Sequence, residues 1–397
     1  METVKYNTFD RIKNQLPPHH FIKKMRSLGV GGLSGGNNIT LLGDGYDCFN
    51  EFYKAIEKAK YSINLETYIF NSDETGWYIA NALSKKAKVG LEVNVIYDAL
   101  GCLSTSPEMF NTMKEAGVEL IEYHPFMPWR KYWNVSFRDH RKILTVDGQI
   151  AFIGGMNIGD EYSGSQNGET WRDTQIKVEG PAVRDIQFFF LENWYRYGGA
   201  ILDNQKHFPN IEEAGKNIVM VLCSRSRKKV KPIRQSYIEA IRFAKQKIYI
   251  SNAYFIPDAR IYREFIKAAK RGVDVRFIVP GKSDVSIVKY AGQYLYKKYL
   301  KNNIRLYEYN KTILHSKTGV IDEIWSTVGS SNLDRRSFNK NLEVNAVILN
   351  QDFGSQMEQM FFDDLKHSTE VHLDNWQKRP LLTYLLEWLC YRFRNYL

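Results

Sequence analysis

The stretch RDHRKILTVDGQIAFIGGMN at residues 138–157 returns in altered form as LHSKTGVIDEIWSTVGSSN at residues 314–332. Both copies contain histidine, lysine, aspartate, glycine and asparagine at the same internal spacing, and one constant offset of 175 residues relates all five positions. The matched pairs are His140 with His315, Lys142 with Lys317, Asp147 with Asp322, Gly154 with Gly329, and Asn157 with Asn332. Chance does not align five such positions, so the chain contains an internal duplication.

The segments ahead of each motif repeat a longer plan of helices alternating with strands. Residues 53–70 resemble residues 237–256, where a helical stretch leads into a strand of β-branched and aromatic residues. Residues 82–98 resemble residues 265–280, with a glycine after the helix and an alternating apolar strand. This order predicts an α/β fold of two tandem domains, each a mixed sheet flanked by helices. A pseudo-twofold axis between the domains would bring both motifs to one cleft.

Four parts are expected along the chain. They are an N-terminal lead-in at 1–40, a first domain at 41–205, a second domain at 206–370 and a C-terminal amphipathic tail at 371–397. The basic run RSRKKVK at 225–231 is expected to be a solvated linker, although it could also contact lipid headgroups.

The C-terminal tail shows the pattern of an amphipathic helix. Its apolar residues fall at positions 381, 382, 385, 386 and 389, which form one helical stripe. Aromatic residues alternate with arginines near its end, a composition that suits an anionic membrane interface. The same stripe could instead pack against the second domain, and the sequence leaves both possibilities open.

Composition limits the partners of the chain. The 397 residues are 44% hydrophobic and carry a net charge of +11, which favours nucleic acid or an anionic membrane surface. Four scattered cysteines lack metal-like spacing and are expected to be reduced thiols. The first residues lack the features of a secretory signal. No apolar run approaches the roughly 18 residues that span a bilayer, so any membrane contact is expected to be peripheral.

The motif residues suit phosphodiester chemistry. His140 and Lys142 lie two residues apart in a strand-like pattern, so their side chains project to the same face. A phosphodiester fits between two such copies, because two lysines could hold its non-bridging oxygens together with Asn157 and Asn332. One histidine could attack phosphorus, while the other acts as general acid and base.

Each imidazole also needs a partner that fixes its tautomer. Asp173 in WRDT and Glu343 in NKNLE are the candidate orienting carboxylates. Asp147 and Asp322 complete the motifs, and because turn residues follow them we expect them to anchor the turn after each motif strand. The candidate catalytic residues of the two motifs are His140, Lys142, Asp147, His315, Lys317 and Asp322.

The doubled pattern HxKx4Dx6G, followed by asparagine, resembles the phospholipase D superfamily. Within it, the chain resembles bacterial cardiolipin synthases over about residues 37–370. The segments that carry this resemblance are RDHRKILTVDGQIAFIGGMNIGDEY, WRDT, VEGPAV, AYFIPD, GVDVRFIVPGKSD, LHSKTGVID and VGSSNLDRRSFNKNLEVN. Many of these synthases begin with two membrane-spanning helices, and this chain resembles the shorter branch without them.

The resemblance implies a ping-pong phosphatidyl transfer without metal or organic cofactor. His140 would attack phosphatidylglycerol and release glycerol, and His315 would activate the hydroxyl of a second phosphatidylglycerol to give cardiolipin; the symmetry leaves exchanged roles open. In relatives the orienting carboxylate tends to come from the opposite half, which pairs His140 with Glu343 and His315 with Asp173. The expected partners are phosphatidylglycerol and an anionic membrane surface, not nucleic acid, at the cytoplasmic face of the bacterial cell membrane. The sequence does not specify the oligomeric state.

Other functions would leave a similar sequence. A hydrolytic phospholipase D would use the same residues with water as the acceptor. A nucleic-acid phosphodiesterase is permitted by the net charge but disfavoured by the synthase-like segments. A non-enzymatic membrane-binding protein is disfavoured because all ten motif positions are intact.

Overall fold

The computed structural model describes residues 19–28, 32–134, 136–164, 170–224 and 231–394. The start of the expected lead-in and nearly all of the basic run at 225–231 lie outside the described residues. The described strands are β1 Ser34–Leu42, β2 Ser62–Thr67, β3 Glu92–Asp98, β4 Glu119–Tyr123, β5 Ile143–Val146, β6 Ile150–Gly154, β7 Gln175–Glu179, β8 Asn217–Ser224, β9 Lys247–Asn252, β10 Asp274–Pro280, β11 Arg305–Tyr309, β12 Lys317–Ile321, β13 Trp325–Gly329, β14 Glu343–Leu349 and β15 Ser368–Glu370.

Helices fill the connections, and aspartate side chains cap several of them. Asp44 accepts a hydrogen bond from the Tyr46 N–H at 2.8 Å, and Asp73 accepts one from the Gly76 N–H at 2.9 Å. The described helices are α1 His19–Arg26, α2 Gly45–Lys58, α3 Glu74–Lys88, α4 Pro107–Glu115, α5 Asp160–Ser163, α6 Val183–Arg196, α7 Asn204–His207, α8 Pro232–Phe243, α9 Ala259–Lys270, α10 Ser286–Gln293, α11 Tyr296–Leu300, α12 Arg335–Asn339, α13 Gln351–Leu365, α14 Leu373–Gln377 and α15 Leu381–Arg392. None of these is long and apolar enough to cross a membrane.

The strands form one continuous sheet in the order β15-β11-β10-β9-β12-β13-β14-β8-β1-β7-β6-β5-β2-β3-β4. Counted outward from the central β8–β1 pair, equivalent strands of the two halves follow in the same order, and β15 is an additional strand at one end. β2, β3 and β4 run parallel in the first half, as β9, β10 and β11 do in the second. The predicted α/β class and the predicted duplication are confirmed.

A seam between β1 and β8 joins the two halves. The strands pair antiparallel, with Ser34 opposite Val219 and Asn37 opposite Asn217. β6 contacts β13 and β14, although β7, β1 and β8 separate them in the sheet order. Neighbouring strands lie about 4.8 Å apart, so a flat sheet would hold β6 and β13 far apart. The sheet therefore bends back around the seam.

The two halves share a hydrophobic core. One cluster of buried side chains includes Ile153 of β6 and Phe189 of α6 from the first half, with Val328 of β13 and Phe361 of α13 from the second. Two further clusters each belong mainly to one half, beneath α2, α3 and α4 or beneath α8 and α9. The seam and the shared core fix the orientation of one half against the other.

Both motif strands start next to the carboxyl end of a neighbouring strand. Lys317 lies opposite Asn252, the last residue of β9, and Ile143 lies opposite Glu66, near the end of β2. The motif histidines therefore lie beside the carboxyl ends of the parallel strands. We call this side of the sheet, formed by the carboxyl ends of β2–β4 and β9–β11, the motif edge.

Candidate active site

Each motif is held by backbone hydrogen bonds to the opposite half. The His140 N–H donates to the Leu342 carbonyl at 2.9 Å, and the Leu342 N–H donates to the Arg138 carbonyl at 2.9 Å. In the second half the His315 N–H donates to the Arg172 carbonyl at 2.8 Å. The approach to each motif strand is thus built from both halves, and the two motifs meet where the halves join.

The histidines and the orienting carboxylates also pair across the halves. His140 Nδ1 lies 3.0 Å from Glu343 Oε2, and His315 Nδ1 lies 2.6 Å from Asp173 Oδ2. Burial alone would raise the pKa of Asp173, but Lys317 and His315 lower it below its ordinary value. An ionised carboxylate at Nδ1 keeps the proton on that nitrogen, so Nε2 of the neutral ring carries the free lone pair.

Burial lowers the pKa of both imidazoles. It brings the pKa of His140 to about 4, with Lys142 and Lys317 acting in the same direction and Glu343 opposing them. For His315 burial is again the largest cause of the lowered pKa, followed by Lys317. Because Lys317 belongs to the second half, its effect on His140 places the two motifs in one electrostatic environment. Both rings are neutral near pH 7, the form that can act as nucleophile or base.

Two buried lysines bring positive charge to the site. Lys142 is 2% exposed and Lys317 is 1% exposed. Lys142 Nζ donates to the His140 carbonyl at 2.7 Å and lies 5.2 Å from the centre of the Tyr68 ring; Lys317 Nζ lies 2.8 Å from His315 Nδ1. Burial lowers the pKa of Lys142 to about 7 and that of Lys317 to about 8. A bound anion would stabilise their charged forms, so the site is suited to a phosphate group.

The two asparagines tie the motif loops to the ends of neighbouring strands. Asn157 Oδ1 accepts from the Ile69 N–H at 3.2 Å, and Asn157 Nδ2 donates to the Tyr162 hydroxyl at 2.7 Å. Asn332 Oδ1 accepts from the Tyr254 N–H at 3.3 Å. Both amides are buried at the site, and at least one group of each is already used within the protein. Phosphate binding by these asparagines stays a proposal.

Aromatic rings form walls around the imidazoles, and the motif pattern did not predict them. The ring centre of Tyr68 lies 5.1 Å from that of His140. Around His315 the ring centres of Tyr162, Trp171 and Tyr254 lie at 5.5, 5.6 and 6.4 Å. The signal that could have found two of them is a tyrosine shortly after the strand that neighbours each motif strand, in ETYIF and SNAYFI.

Glu343 and Asp173 have different neighbours at equivalent positions of the two repeats. Ser330 Oγ donates to Glu343 Oε2 at 2.5 Å. Gly155, which is 175 residues earlier, has no side chain, and a Cβ added there would lie 2.2 Å from Asp173 Oδ1. Glycine is therefore required beside Asp173, whereas serine supports Glu343. A comparison of GGMN with GSSN would have revealed this asymmetry.

The outer face of the first motif strand is also charged and buried. Asp139 Oδ2 accepts from Asn193 Nδ2 at 2.8 Å, and the Asp139 N–H donates to Asp98 Oδ2 at 2.8 Å. Arg141 donates through Nη1 to the Phe189 carbonyl at 3.1 Å. In RDHRK these residues alternate with the motif residues, so one face meets the site while the other is buried against the first half and, through Arg141 Nη2, against Cys223 of β8.

Asp147 and Asp322 lie at the far ends of the motif strands, away from the imidazoles. Asp147 accepts hydrogen bonds from the N–H groups of residues 60, 61 and 62 at 2.9, 2.7 and 2.9 Å. Asp322 accepts from those of residues 245, 246 and 247 at 2.7, 2.9 and 2.8 Å. Both residues have positive φ values, 53° and 51°. Their contacts are those of turn anchors, not of groups that touch a substrate.

We expect Asp147→Ala and Asp322→Ala each to lower the free energy of unfolding by roughly 1.5–3 kcal/mol, because three backbone N–H donors, two of them near the surface, lose a charged acceptor. Denaturant unfolding would measure the loss, and turnover per folded molecule should stay close to that of the native chain. Asp147→Asn, which keeps one acceptor oxygen, is the control and should lose less. Full stability with abolished turnover would contradict an anchoring role.

Comparison with known proteins agrees with this geometry. Residues 52–178 and 237–365 match the family model described as "Cardiolipin synthase, PLD-like domain". Cardiolipin synthase 1 of Bacillus anthracis is 36% identical over 378 residues, which cover 93% of this chain and 74% of that protein. Cardiolipin synthase of Geobacillus kaustophilus (strain HTA426) is 34% identical over 378 residues, which cover 94% of this chain and 75% of that protein.

Two solved structures share the fold at low identity. Phosphatidylserine synthase of Haemophilus influenzae Rd KW20 has a TM-score of 0.69 and 14% identity, covering 98% of this chain and 100% of its own. Polyphosphate kinase of Porphyromonas gingivalis has a TM-score of 0.54 and 13% identity, covering 83% of this chain and 50% of its own. These two show the fold alone. With both repeats matched and most of the chain covered by its relatives, this chain belongs to the cardiolipin synthase family of phospholipase D-type phosphatidyltransferases.

Proposed function

We propose that this chain makes cardiolipin from two molecules of phosphatidylglycerol through a covalent phosphohistidine. The observation that carries the proposal is the pair of buried imidazoles, each bonded at Nδ1 to a carboxylate of the opposite half. The similarity to cardiolipin synthases supports the choice of lipid. Each motif contains one histidine, so the two motifs supply two rings for two tasks, attack on phosphorus and proton transfer.

In the first step, His140 Nε2 attacks the phosphorus of phosphatidylglycerol. A P–N bond forms and the P–O bond to the glycerol headgroup breaks. His315, protonated when the anionic substrate binds, gives its proton to the departing oxygen, so glycerol leaves as an alcohol. His140 is assigned the attack because its pKa of about 4 keeps it unprotonated over the whole physiological range.

In the second step, a second phosphatidylglycerol enters. Its terminal hydroxyl attacks the same phosphorus, and His315, now neutral, takes the hydroxyl proton. The P–N bond breaks and returns its electron pair to His140. Two phosphatidylglycerol molecules thus give one cardiolipin and one glycerol, and both histidines return to their starting forms.

Lys142 and Lys317 stabilise the charge that develops on the non-bridging oxygens, and the amides of Asn157 and Asn332 complete this binding site. Preorganised donors of this kind act strongly because the site excludes water. We further propose that the chain works peripherally at the cytoplasmic face of the bacterial cell membrane, with lipid and not nucleic acid as its partner. Its buried free cysteines and net charge of +11 support this placement.

Product analysis tests the proposal. The purified chain would be incubated with vesicles of a defined phosphatidylglycerol, and the products identified by mass spectrometry, with His140→Ala as the control. Cardiolipin and free glycerol in equal amounts are expected. Phosphatidic acid as the sole product would instead establish a hydrolytic phospholipase D, and cleavage of DNA without lipid turnover would establish a nucleic-acid phosphodiesterase.

The pH dependence of kcat/KM follows from the lowered pKa values. Lys142 and Lys317 are charged only below their pKa values of about 7 and about 8, and the general acid His315, whose pKa is lowered by burial, must also carry a proton in the first step. Deprotonation of all three groups should therefore make kcat/KM fall as pH rises. The pKa of about 4 for His140 places loss of the nucleophile at much lower pH. Steady-state kinetics between pH 4 and pH 10, in about half-unit steps, would measure the profile.

Lys142→Arg provides the control for this assignment. Guanidinium stays charged throughout this range, so any activity that remains in this variant should lose the part of the alkaline decline that Lys142 causes and keep the part that His315 and Lys317 set. An alkaline limb that is identical in the native chain and in Lys142→Arg would show that Lys142 does not set it.

A further inference from the structure

The C-terminal helix α15 presents its apolar side to solvent. Leu381 and Leu382 are 85% and 79% exposed, and the other apolar side chains on the same surface are 40–58% exposed. These others are Leu385, Leu386, Trp388, Leu389 and Phe393. A helix that packs on its own domain buries its apolar stripe. α15 does the reverse, so the predicted stripe is free to contact something else.

The buried side of α15 is fixed by different residues. Glu387 is 1% exposed and lies 3.2 Å from the Arg379 guanidinium, measured from Oε2 to Nη2. Cys390 packs in a small cluster with Ile256 and Val288. The helix is therefore held in place without its leucines. Tyr384 and Tyr391 add contacts on the same side, to the Trp376 carbonyl and to the Tyr294 ring, so the leucine surface is a stable feature of the fold.

This helix lies beside the candidate active site. The cluster that receives Cys390 also contacts Tyr254, whose ring faces His315 with ring centres 6.4 Å apart. α10, against which α15 packs, begins shortly after the carboxyl end of β10 at the motif edge. Through α10 and the Cys390 cluster, α15 is thus connected to Tyr254, one of the rings around the second imidazole.

Positive charge surrounds the same edge. A cavity of about 440 Å³ lies between the starts of α8, α9 and α12, all of which begin at the motif edge. Its cationic lining residues are Lys231, Arg234, Arg260, Arg263 and Arg335. One acidic residue, Asp258, lines it as well and binds Arg234 at 3.0 Å. The net charge of this cavity is strongly positive.

The first half has an exposed apolar segment at the corresponding place. The loop that leaves the carboxyl end of β4 carries Trp129, Met127 and Trp133, which are 80%, 49% and 45% exposed. Apolar groups therefore flank the motif edge in both halves, and the cationic cavity lies at the same edge in the second half. Exposed aromatic and aliphatic side chains next to cations are typical of surfaces that enter the interface of an anionic bilayer.

We propose that the motif edge is the membrane-docking face, where the leucine surface of α15 inserts among the acyl chains of a bilayer rich in anionic phospholipid. The cationic cavity would then lie at the level of the phosphate headgroups. This inference rests on the proposed function, because a phosphatidylglycerol whose tails stay in the bilayer reaches the imidazoles only if their edge faces the membrane. It assigns that contact to specific residues.

The test compares two charge-matched double variants of the full chain. Leu382→Glu/Leu389→Glu alters the α15 surface. Tyr61→Glu/Val89→Glu adds the same charges at exposed apolar sites next to the starts of β2 and β3, on the side of the sheet opposite the motif edge. Sedimentation with phosphatidylglycerol vesicles would measure binding, and turnover would be measured on vesicles and on detergent-dispersed short-chain phosphatidylglycerol. Since all four altered side chains are exposed, both proteins should keep the native melting temperature.

We expect the α15 variant to bind vesicles about tenfold or more weakly, and to lose vesicle turnover to the same extent while keeping turnover on dispersed lipid. The control variant should match the native chain in all three measurements. Vesicle binding by the α15 variant that equals that of the native chain would overturn the inference. A native dimer that dissociates into monomers only in this variant, with vesicle binding unchanged, would overturn it as well. Failure of the native chain to turn over dispersed lipid would refute the proposed function instead.

A labelled variant gives an independent measurement. All four native cysteines are buried, so a polarity-sensitive fluorophore would attach selectively to Leu385→Cys. The emission should shift to the blue with phosphatidylglycerol vesicles and much less with uncharged phosphatidylcholine vesicles. Emission that stays at its aqueous wavelength while the protein is vesicle-bound would show that a different surface docks, and would overturn the assignment of α15.

Discussion

His140→Ala is expected to reduce phosphatidyl transfer by about four orders of magnitude or more, because it removes the proposed nucleophile and with it the proposed P–N bond. His315→Ala should cause a loss of similar size with phosphatidylglycerol, since it removes the group proposed to protonate the departing glycerol oxygen. The two variants are therefore expected to look alike with phosphatidylglycerol. A substrate with an acidic leaving group separates them.

With a p-nitrophenyl phosphodiester, departure of the leaving group needs no proton. His315→Ala should then release about one equivalent of nitrophenol in a rapid burst and retain the phosphatidyl group on His140. His140→Ala should show no burst. Acid-labile, base-stable adducts mapped by mass spectrometry would decide the assignment, and an adduct on His315 in the His140→Ala protein would reverse the two roles.

The second large effect concerns the buried lysines. Lys142→Met and Lys317→Met should each reduce kcat by about 10²–10³-fold, the cost of removing one preorganised donor from a transition state. The same changes should raise the melting temperature, because an ammonium group that is 98–99% buried costs desolvation energy in the folded protein. Opposite effects on activity and stability identify a group retained for function.

Differential scanning calorimetry and steady-state kinetics would measure both effects. Lys85→Met is the matched control, because Lys85 has a 67% exposed side chain and contacts Glu57 at the surface, where an ion pair contributes little. It should leave both activity and melting temperature unchanged. A less stable Lys142→Met protein with native activity would show that the ammonium group serves the fold rather than the phosphate.

Much of this molecule could be predicted from its internal repeat. The constant offset between the motifs required two similar α/β halves, and the spacing of His140 and Lys142 required that they project together. The repeat could not show that β1 pairs with β8. The β1 sequence SGGNNITLL contains no pattern that distinguishes a central strand from an edge strand. Pairing across the seam depends on the packing of whole halves, which local periodicity does not encode.

The limits of the sequence are clearest in α15 and at Ser330. The apolar stripe of α15 fits either a buried or an exposed surface, and tertiary contacts such as those of Glu387 and Cys390 decide which side is buried. Ser330 matters because Glu343 lies within hydrogen-bonding distance, 13 residues away in the chain. Such contacts between distant residues follow from tertiary structure, whereas the motif histidines were recognisable from repetition alone.

The seam between β1 and β8 has a consequence for the proposed transfer. The two halves are joined by the paired strands β1 and β8 and by one common core, so they cannot separate by a hinge motion to admit lipids. In the proposed two-step transfer, the exchange of glycerol for the second lipid therefore takes place between halves that keep one fixed orientation.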